Sequence, residues 1–343
     1  MRVAREKLLA QLESVNPGLS AREIIEQSSC FILKDGEVLT FNDEVACRQE
    51  CMLDTINGAV KADPFLNLLR KMDEEYVDIV QNEGELKIKA VGGKKTRRQA
   101  GISMEDKVVL PIGSVDKPKD WKELPDDFTE AVTVIAQCAS KDESKFIITC
   151  VHLHPEWIEA CDDYQIARFP MEIGLGKPVL VRRESLKHVT TLDMQEFSES
   201  KSWLHFRNKQ GLILSIRRYS DDYPDLGAYL DTDKGEKTEL PKGLKEATEK
   251  AEIFSAEKGE ENQVEISLRA GRLKIRGQGI SGWYSEVKDV NYEGDPITFL
   301  ITPNLLRELV ENYKECEITS NRLKVDGGKF TYVTCLGVPK KEE

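Results

Sequence analysis

The chain has 343 residues, 40% hydrophobic and 32% charged, which is too long for one small domain and apolar enough to build two or three cores. Its net charge of −12, from 49 basic and 61 acidic side chains, argues against a surface coated with nucleic-acid-binding residues but leaves room for a local basic lining. No apolar run approaches the roughly 20 residues of a membrane span, charges interrupt the apolar residues of the opening MRVAREKLLAQLESV as they would not in a secretory signal, and the eight cysteines contain no C-x-x-C, so free thiols and a cytoplasmic location are expected.

The first predicted helix places Leu8, Leu9, Leu12 and Val15 on one face, the helical period. LKDGEV (Leu33–Val38) carries a hairpin signal. VKADPFLNLLRKM (Val60–Met72) reads as a short extended piece and then a helix with Phe65, Leu66, Leu69 and Met72 inward. In ELKIKA (Glu85–Ala90), Leu86 and Ile88 alternate as in a half-buried antiparallel strand. The charged, turn-rich linker PIGSVDKPKDWKELP (Pro111–Pro125) ends in Leu-Pro before the next helix, which carries Phe128, Val132 and Ile135. LVRRESLKHVTTL (Leu180–Leu192) supplies a helix with Leu186, Val189 and Leu192, and SWLHFRN (Ser202–Asn208) a strand with Leu204 and Phe206. A second linker, DTDKGEKTELP (Asp231–Pro241), again ends in Leu-Pro. Beyond it come a helix with Leu244, Ala247, Ala251 and Phe254, a hairpin at Arg269–Leu273, a helix within Leu300–Tyr313 and a strand with Leu323 and Val325.

These elements recur. Leu66, Leu186 and Leu306 are separated by 120 and 120 residues. The first-helix markers Leu8, Phe128 and Leu244 are separated by 120 and 116, and the strand leucines Leu86, Leu204 and Leu323 by 118 and 119. Such a period predicts an α+β fold of three repeated helix–strand units, with domains at 1–120, 121–235 and 236–343. Two amphipathic helices per unit would cover one face of an antiparallel sheet. Sheets joined edge to edge then make an arc with the helices on one side.

Catalytic and metal chemistries find little support. Cys150, His152 and His154 would share one face of a strand, but their spacing fits no standard zinc pattern. Cys30, Cys47 and Cys51 have no histidine in their unit, since all four histidines lie between His152 and His205, and a nucleophile needs an oriented base. With no Walker loop and no G-x-G-x-x-G, neither an enzyme nor a cofactor is expected.

The sequence resembles the sliding clamps of bacteria and bacteriophages, the β subunit of DNA polymerase III. The resemblance runs over nearly the whole chain, through REKLLAQLESVNPGLSAREIIEQ (Arg5–Gln27), DDYQIARFPME (Asp162–Glu172), RRYSDDYPDL (Arg217–Leu226), AEIFSAEKGEENQVEISLRAGRLKI (Ala251–Ile275) and FTYVTCL (Phe330–Leu336). It implies a processivity factor: a homodimeric ring with antiparallel sheets outside and helices inside, encircling duplex DNA without sequence preference. Partners implied are the replicative DNA polymerase and a clamp loader. The competing class is a non-ring, clamp-like interaction or regulatory protein.

Three sets of site residues follow from that resemblance. DNA-lining candidates on or beside the helices are Arg22, Arg70, Lys71, Arg182, Arg183, Lys187, Lys242, Lys245 and Arg307, with solvated helix faces as the plainer alternative. Asp126, Asp127 and Glu130 oppose this role on one helix. The partner-peptide groove would be formed by Tyr164, Ile166, Leu230, Val333 and Cys335, unless Ile166 and Val333 are ordinary core. Here the chain departs from common bacterial clamps, which have glycine, histidine and arginine where Asp163, Tyr164 and Gln165 stand. The dimer interface would join Ile253 and Phe254 to the strand carrying Arg97 and Arg98, unless both apolar residues pack inside their own unit.

Overall fold

The computed structural model describes residues 1–91, 98–231 and 235–339. It is an α+β protein of short helices and antiparallel sheets, and it divides into two compact units: residues 1–136, 150–156 and 171–221, and residues 137–149, 157–170 and 222–343. The segment 121–235 contributes to both.

In the first unit, helices Arg5–Ser14 and Ala62–Lys71 lie side by side. Each buries the stripe that the helical period marks, Leu8 and Leu12 in one, Phe65, Leu66 and Leu69 in the other. Met72, expected inside the second helix, is its extended C-cap residue instead. One sheet runs in the order Arg2–Ala4, Tyr76–Asn82, Glu85–Val91, Gln99–Glu105. In a longer one, Glu196–Glu199, Trp203–Arg207, Ile213–Tyr219, Val45–Glu50, Glu37–Phe41, Cys30–Lys34 and Gly58–Lys61 are neighbours in that order. Its central pairing joins residues far apart in sequence, with Ala46 opposite Ser215 and Arg48 opposite Ile213. Side chains lock this joint. The Tyr219 hydroxyl donates to Glu44 at 2.6 Å, and the Arg217 guanidinium donates to the Asp43 carbonyl at 2.7 Å while lying 4.6 Å from the Trp203 ring centroid.

In the second unit, Trp157–Cys161, Gln165–Pro170, Thr331–Cys335, Arg322–Asp326, Glu315–Ile318 and Glu236–Glu239 form a sheet in that order. A separate four-stranded sheet has the order Trp283–Asp289, Arg272–Gln278, Val264–Arg269, Ile297–Ile301. Helix Leu244–Ser255 packs on the four-stranded sheet through Leu244, Ala247, Thr248, Ala251 and Ser255. The approach is so close that a Cβ on Gly277 would stand 1.9 Å from the Ala251 carbonyl oxygen, so only glycine fits there. Phe254, expected on that buried face, sits beside it and is half-buried.

Two segments expected to be linkers also contain strands. Lys122–Glu123 pairs with Glu196 and Phe197, and Glu236–Glu239 pairs with Glu315–Ile318. Each is a sheet edge, where charge is tolerated and discourages further pairing. Neither carries an apolar alternation that would reveal a strand in the sequence.

His205 is fully buried in the first unit, with Nδ1 2.8 Å from the Ser215 hydroxyl and Nε2 3.0 Å from that of Ser200. Burial pushes its pKa from 6.5 down to about 4. Between those values the unfolded chain binds the proton and the folded chain does not, so stability should fall as pH drops from 6.5 towards 4. The loss at the acid end should be on the order of 3 kcal/mol. Urea unfolding of wild type and His205→Gln across this range should show a shallower pH slope for the variant, and parallel slopes would remove His205 as the cause.

Candidate functional site

The helix faces come first, because the basic candidates lie on or beside them. Arg70 Nε donates to Glu13 Oε1 at 2.8 Å, from one helix to its neighbour. In the second unit Lys245 pairs with Glu311 and Arg307 with Glu252, again between neighbouring helices, Leu244–Ser255 and Pro303–Asn312. The Glu311 carboxylate raises the pKa of the Lys245 ammonium. Arg183 pairs with Glu184, whose Oε1 also lies 3.4 Å from Lys187 Nζ. Arg182 is the half-buried N-cap residue of helix Arg183–Thr191. Arg22, in the loop after the turn Asn16–Gly18, and Lys71 and Lys242 are exposed, and no ion pair involves them among the described residues. Lys7 is exposed in the same way on helix Arg5–Ser14. It was absent from the expected set, although it stands among the polar residues between the inward leucines.

Five of the nine expected cations therefore face carboxylates. Exposed pairs contribute only about 0–1 kcal/mol each, so they are not what holds the helices together. What they do is lower the local positive field, leaving positive charge concentrated at a few unpaired positions.

The groove candidates do assemble. Ile166 and Val333 are direct cross-strand partners, with Cys161 opposite Ile166 on its other side. Ile166, Cys161, Val333 and Cys335 therefore project from one face of the sheet. The chain 222–230 returns over that face: helix Gly227–Leu230 lies against strand Thr331–Cys335, and Tyr223 is tied to Cys161. The Cys161 N–H donates to the Tyr223 oxygen at 3.0 Å, and the Tyr223 hydroxyl donates to Cys161 Sγ at 3.4 Å. Burial pushes the Tyr223 phenol well above its usual range, so it stays neutral. Val333 is 2% exposed and forms the floor; Ile166 and Leu230 are half-buried, while Tyr164 and Cys335 are exposed at the rim. Along the same face, Arg168 pairs with the buried Glu159 at 2.6 Å and stacks 4.6 Å from the Trp157 ring centroid. Tyr223, Tyr229 and Arg322 complete the surroundings, with Arg322 5.7 Å from the Tyr229 ring centroid. None of the three was among the expected residues, although Tyr223 lies in the RRYSDDYPDL segment that carries the resemblance.

The interface candidates divide. Ile253 is 67% exposed. Phe254 is half-buried against the hairpin tip, where a Cβ on Gly282 would stand 3.3 Å from its ring. Ile280 and Trp283, 93% and 63% exposed, extend the apolar surface along this tip and the edge strand Trp283–Asp289; the sequence reading had missed both. Arg98 donates to Glu74 at 3.2 Å within its own unit, and Arg97 lies outside the described residues. Cys150, His152 and His154 lie on strand Cys150–His154, and no group of three His, Cys, Asp or Glu placed to hold a metal occurs among the described residues.

Replacing Tyr223 by Phe should leave the buried Cys161 N–H without this acceptor, at a cost of about 1–3 kcal/mol. Denaturant unfolding of the variant should show that loss with unchanged secondary structure by circular dichroism.

No protein-family model and no curated protein matches the sequence. The solved structures do. The DNA polymerase III beta chain of Streptococcus pneumoniae superposes with a TM-score of 0.83 at 17% identity, covering 98% of this chain and 99% of that one. The Thermotoga maritima beta subunit gives 0.82 at 16% identity, and the Bacillus subtilis sliding clamp 0.82 at 15%, each covering 99% of both chains. The chain thus has, over nearly its whole length, the fold of the bacterial DNA polymerase III beta subunits, the sliding clamps.

Proposed function

We propose that the chain is a DNA polymerase processivity factor, a homodimeric ring that encircles duplex DNA and slides. The observation carrying this reading is the end-to-end likeness to sliding clamps, 98–99% of both chains at TM-scores of 0.82–0.83. Its three domains would be 1–120, 121–235 and 236–343, with no catalytic role. The charge distribution supports the same reading. A body of net charge −12 repels DNA, while a few unpaired cations screen phosphates without fixing a register, as free sliding requires. Arg22, Lys71, Lys242 and Lys7 would carry most of that screening. The deciding experiment loads the protein onto nicked circular DNA with its loader and then linearises the DNA. Retention on the circle and loss from the linear form are expected; equal retention on both would mean ordinary binding.

Dimerisation would use the apolar surface of Ile253, Phe254, Ile280 and Trp283. Ile253→Asp with Ile280→Asp, both exposed, should yield folded monomers, because carboxylates in a desolvated contact are costly unless paired. Sedimentation velocity showing an intact dimer would take these residues out of the interface.

The groove would take a hydrophobic peptide from the polymerase or loader. Ile166→Ala with Leu230→Ala should weaken a labelled polymerase peptide by about 2–4 kcal/mol while leaving the dimer intact. Val333 lies too deep to serve as a clean test. Equal affinities in a titration would place the peptide elsewhere.

A further inference from the structure

The first unit contains a cleft of about 430 Å³ at the joint between strands Val45–Glu50 and Ile213–Tyr219. This joint and the one beneath the groove are built alike. In the first, Ala46 stands opposite Ser215 and Arg48 opposite Ile213; in the second, Ile166 stands opposite Val333 and Arg168 opposite Thr331. Arg48 pairs with Glu37 on the adjacent strand at 3.3 Å, as Arg168 pairs with Glu159. A returning segment covers each face: chain 222–230 in the second unit, and in the first the stretch around Ile112 and Val115, which packs against the buried cluster that includes Leu39, Ala46 and Trp203.

The side chains at the matching places differ in size. Ala46 and Ser215 stand where Ile166 and Val333 fill the second joint. The missing methyl and methylene groups leave a hollow floored by Leu39, Ala46 and Ile213 and walled by Ile112 and Val115. That hollow has the volume and the apolar lining of a ligand site. Its rim is basic. Lys34, Arg48 and Lys117 line it and are exposed; no ion pair involves Lys34 or Lys117 among the described residues. Asp116, also at the rim, accepts from the Ser202 N–H at 3.2 Å. On a chain of net charge −12, a predominantly basic rim around an apolar hollow selects a negatively charged partner.

We propose that this cleft is a second docking site, for an acidic, extended peptide segment of a partner protein that inserts one bulky apolar side chain over Ala46. The site lies wholly within the first unit, apart from the groove proposed above, and does not depend on it.

The test is selection of short random peptides displayed on phage. Full-length wild type serves as bait, and the Lys34→Glu, Lys117→Glu variant removes peptides that do not need the rim. The peptides recovered should be rich in Asp and Glu around one large apolar residue. Their affinity should fall about tenfold in the charge-reversed variant, since these charges sit on the rim, and should fall more steeply with rising salt for wild type than for the variant. Ala46→Ile should take up the space over residue 46 that the apolar side chain would enter, and weaken binding at least tenfold without altering charge. The Ile166→Ala, Leu230→Ala protein should bind normally. Recovery of no acidic class, or equal affinity for wild type and the Ala46→Ile variant, would overturn the proposal. Loss of binding in the Ile166→Ala, Leu230→Ala protein would also overturn it, by moving the peptides to the groove. So would concentration-dependent self-association that Ala46→Ile abolishes, because the occupant would then be a second copy of the chain.

Discussion

Two cross-strand joints organise this molecule. Val45–Glu50 pairs with Ile213–Tyr219, and Gln165–Pro170 with Thr331–Cys335, each bringing together segments more than 150 residues apart in the chain. Closing loops of that length costs conformational entropy that grows only slowly with length, and the backbone hydrogen bonds of a buried ladder must be satisfied once formed. The joints therefore convert separate sheets into continuous ones and leave no raw edge between them. The groove and the cleft described above exist only because these strands meet.

The two faces share a frame and differ in their filling. An arginine at the matching place in each pairs with a glutamate of the next strand, Arg168 with Glu159 directly opposite and Arg48 with Glu37 on the diagonal, since Leu39 stands opposite Arg48. The second pair is much the more enclosed, with the Glu159 side chain 3% exposed against 33% for Glu37. Breaking a buried pair leaves a charge uncompensated, whereas an exposed pair has little to lose. The charged pair on the groove face of the second unit is thus costly to break, and the one in the first unit is not.

Charge follows a parallel logic on the helices. Neighbouring helices answer one another's charges through Glu13 with Arg70, Glu252 with Arg307 and Lys245 with Glu311. The cations left over are few and separated. A surface of that kind attracts a polyanion weakly and without a preferred register, which is what the proposed role on DNA would require.

The positions of the long helices were legible from the chain alone, because their apolar stripes bury against sheets and a 3.6-residue period leaves a clear mark. Errors came where that signal runs out. Met72 continues the stripe but lies past the last helical turn, and Phe254 fits the spacing while a stripe of small residues, made necessary by the close approach at Gly277, does the packing. Strands Lys122–Glu123 and Glu236–Glu239 carry no apolar alternation, since edge strands hold their place by backbone pairing. For the groove, the sequence named Ile166, Val333 and Leu230 through resemblance, but it could not show that Tyr223 would close the face or that Ile280 and Trp283 would stand beside Ile253. Local periodicity, composition and charge were determined by the sequence itself, because they depend on near neighbours in the chain. Which carboxylate neutralises which cation, and whether a joint is filled by Ile166 or left hollow over Ala46, only the tertiary structure decided, because those contacts link residues whose separation in sequence carries no information about their distance in space.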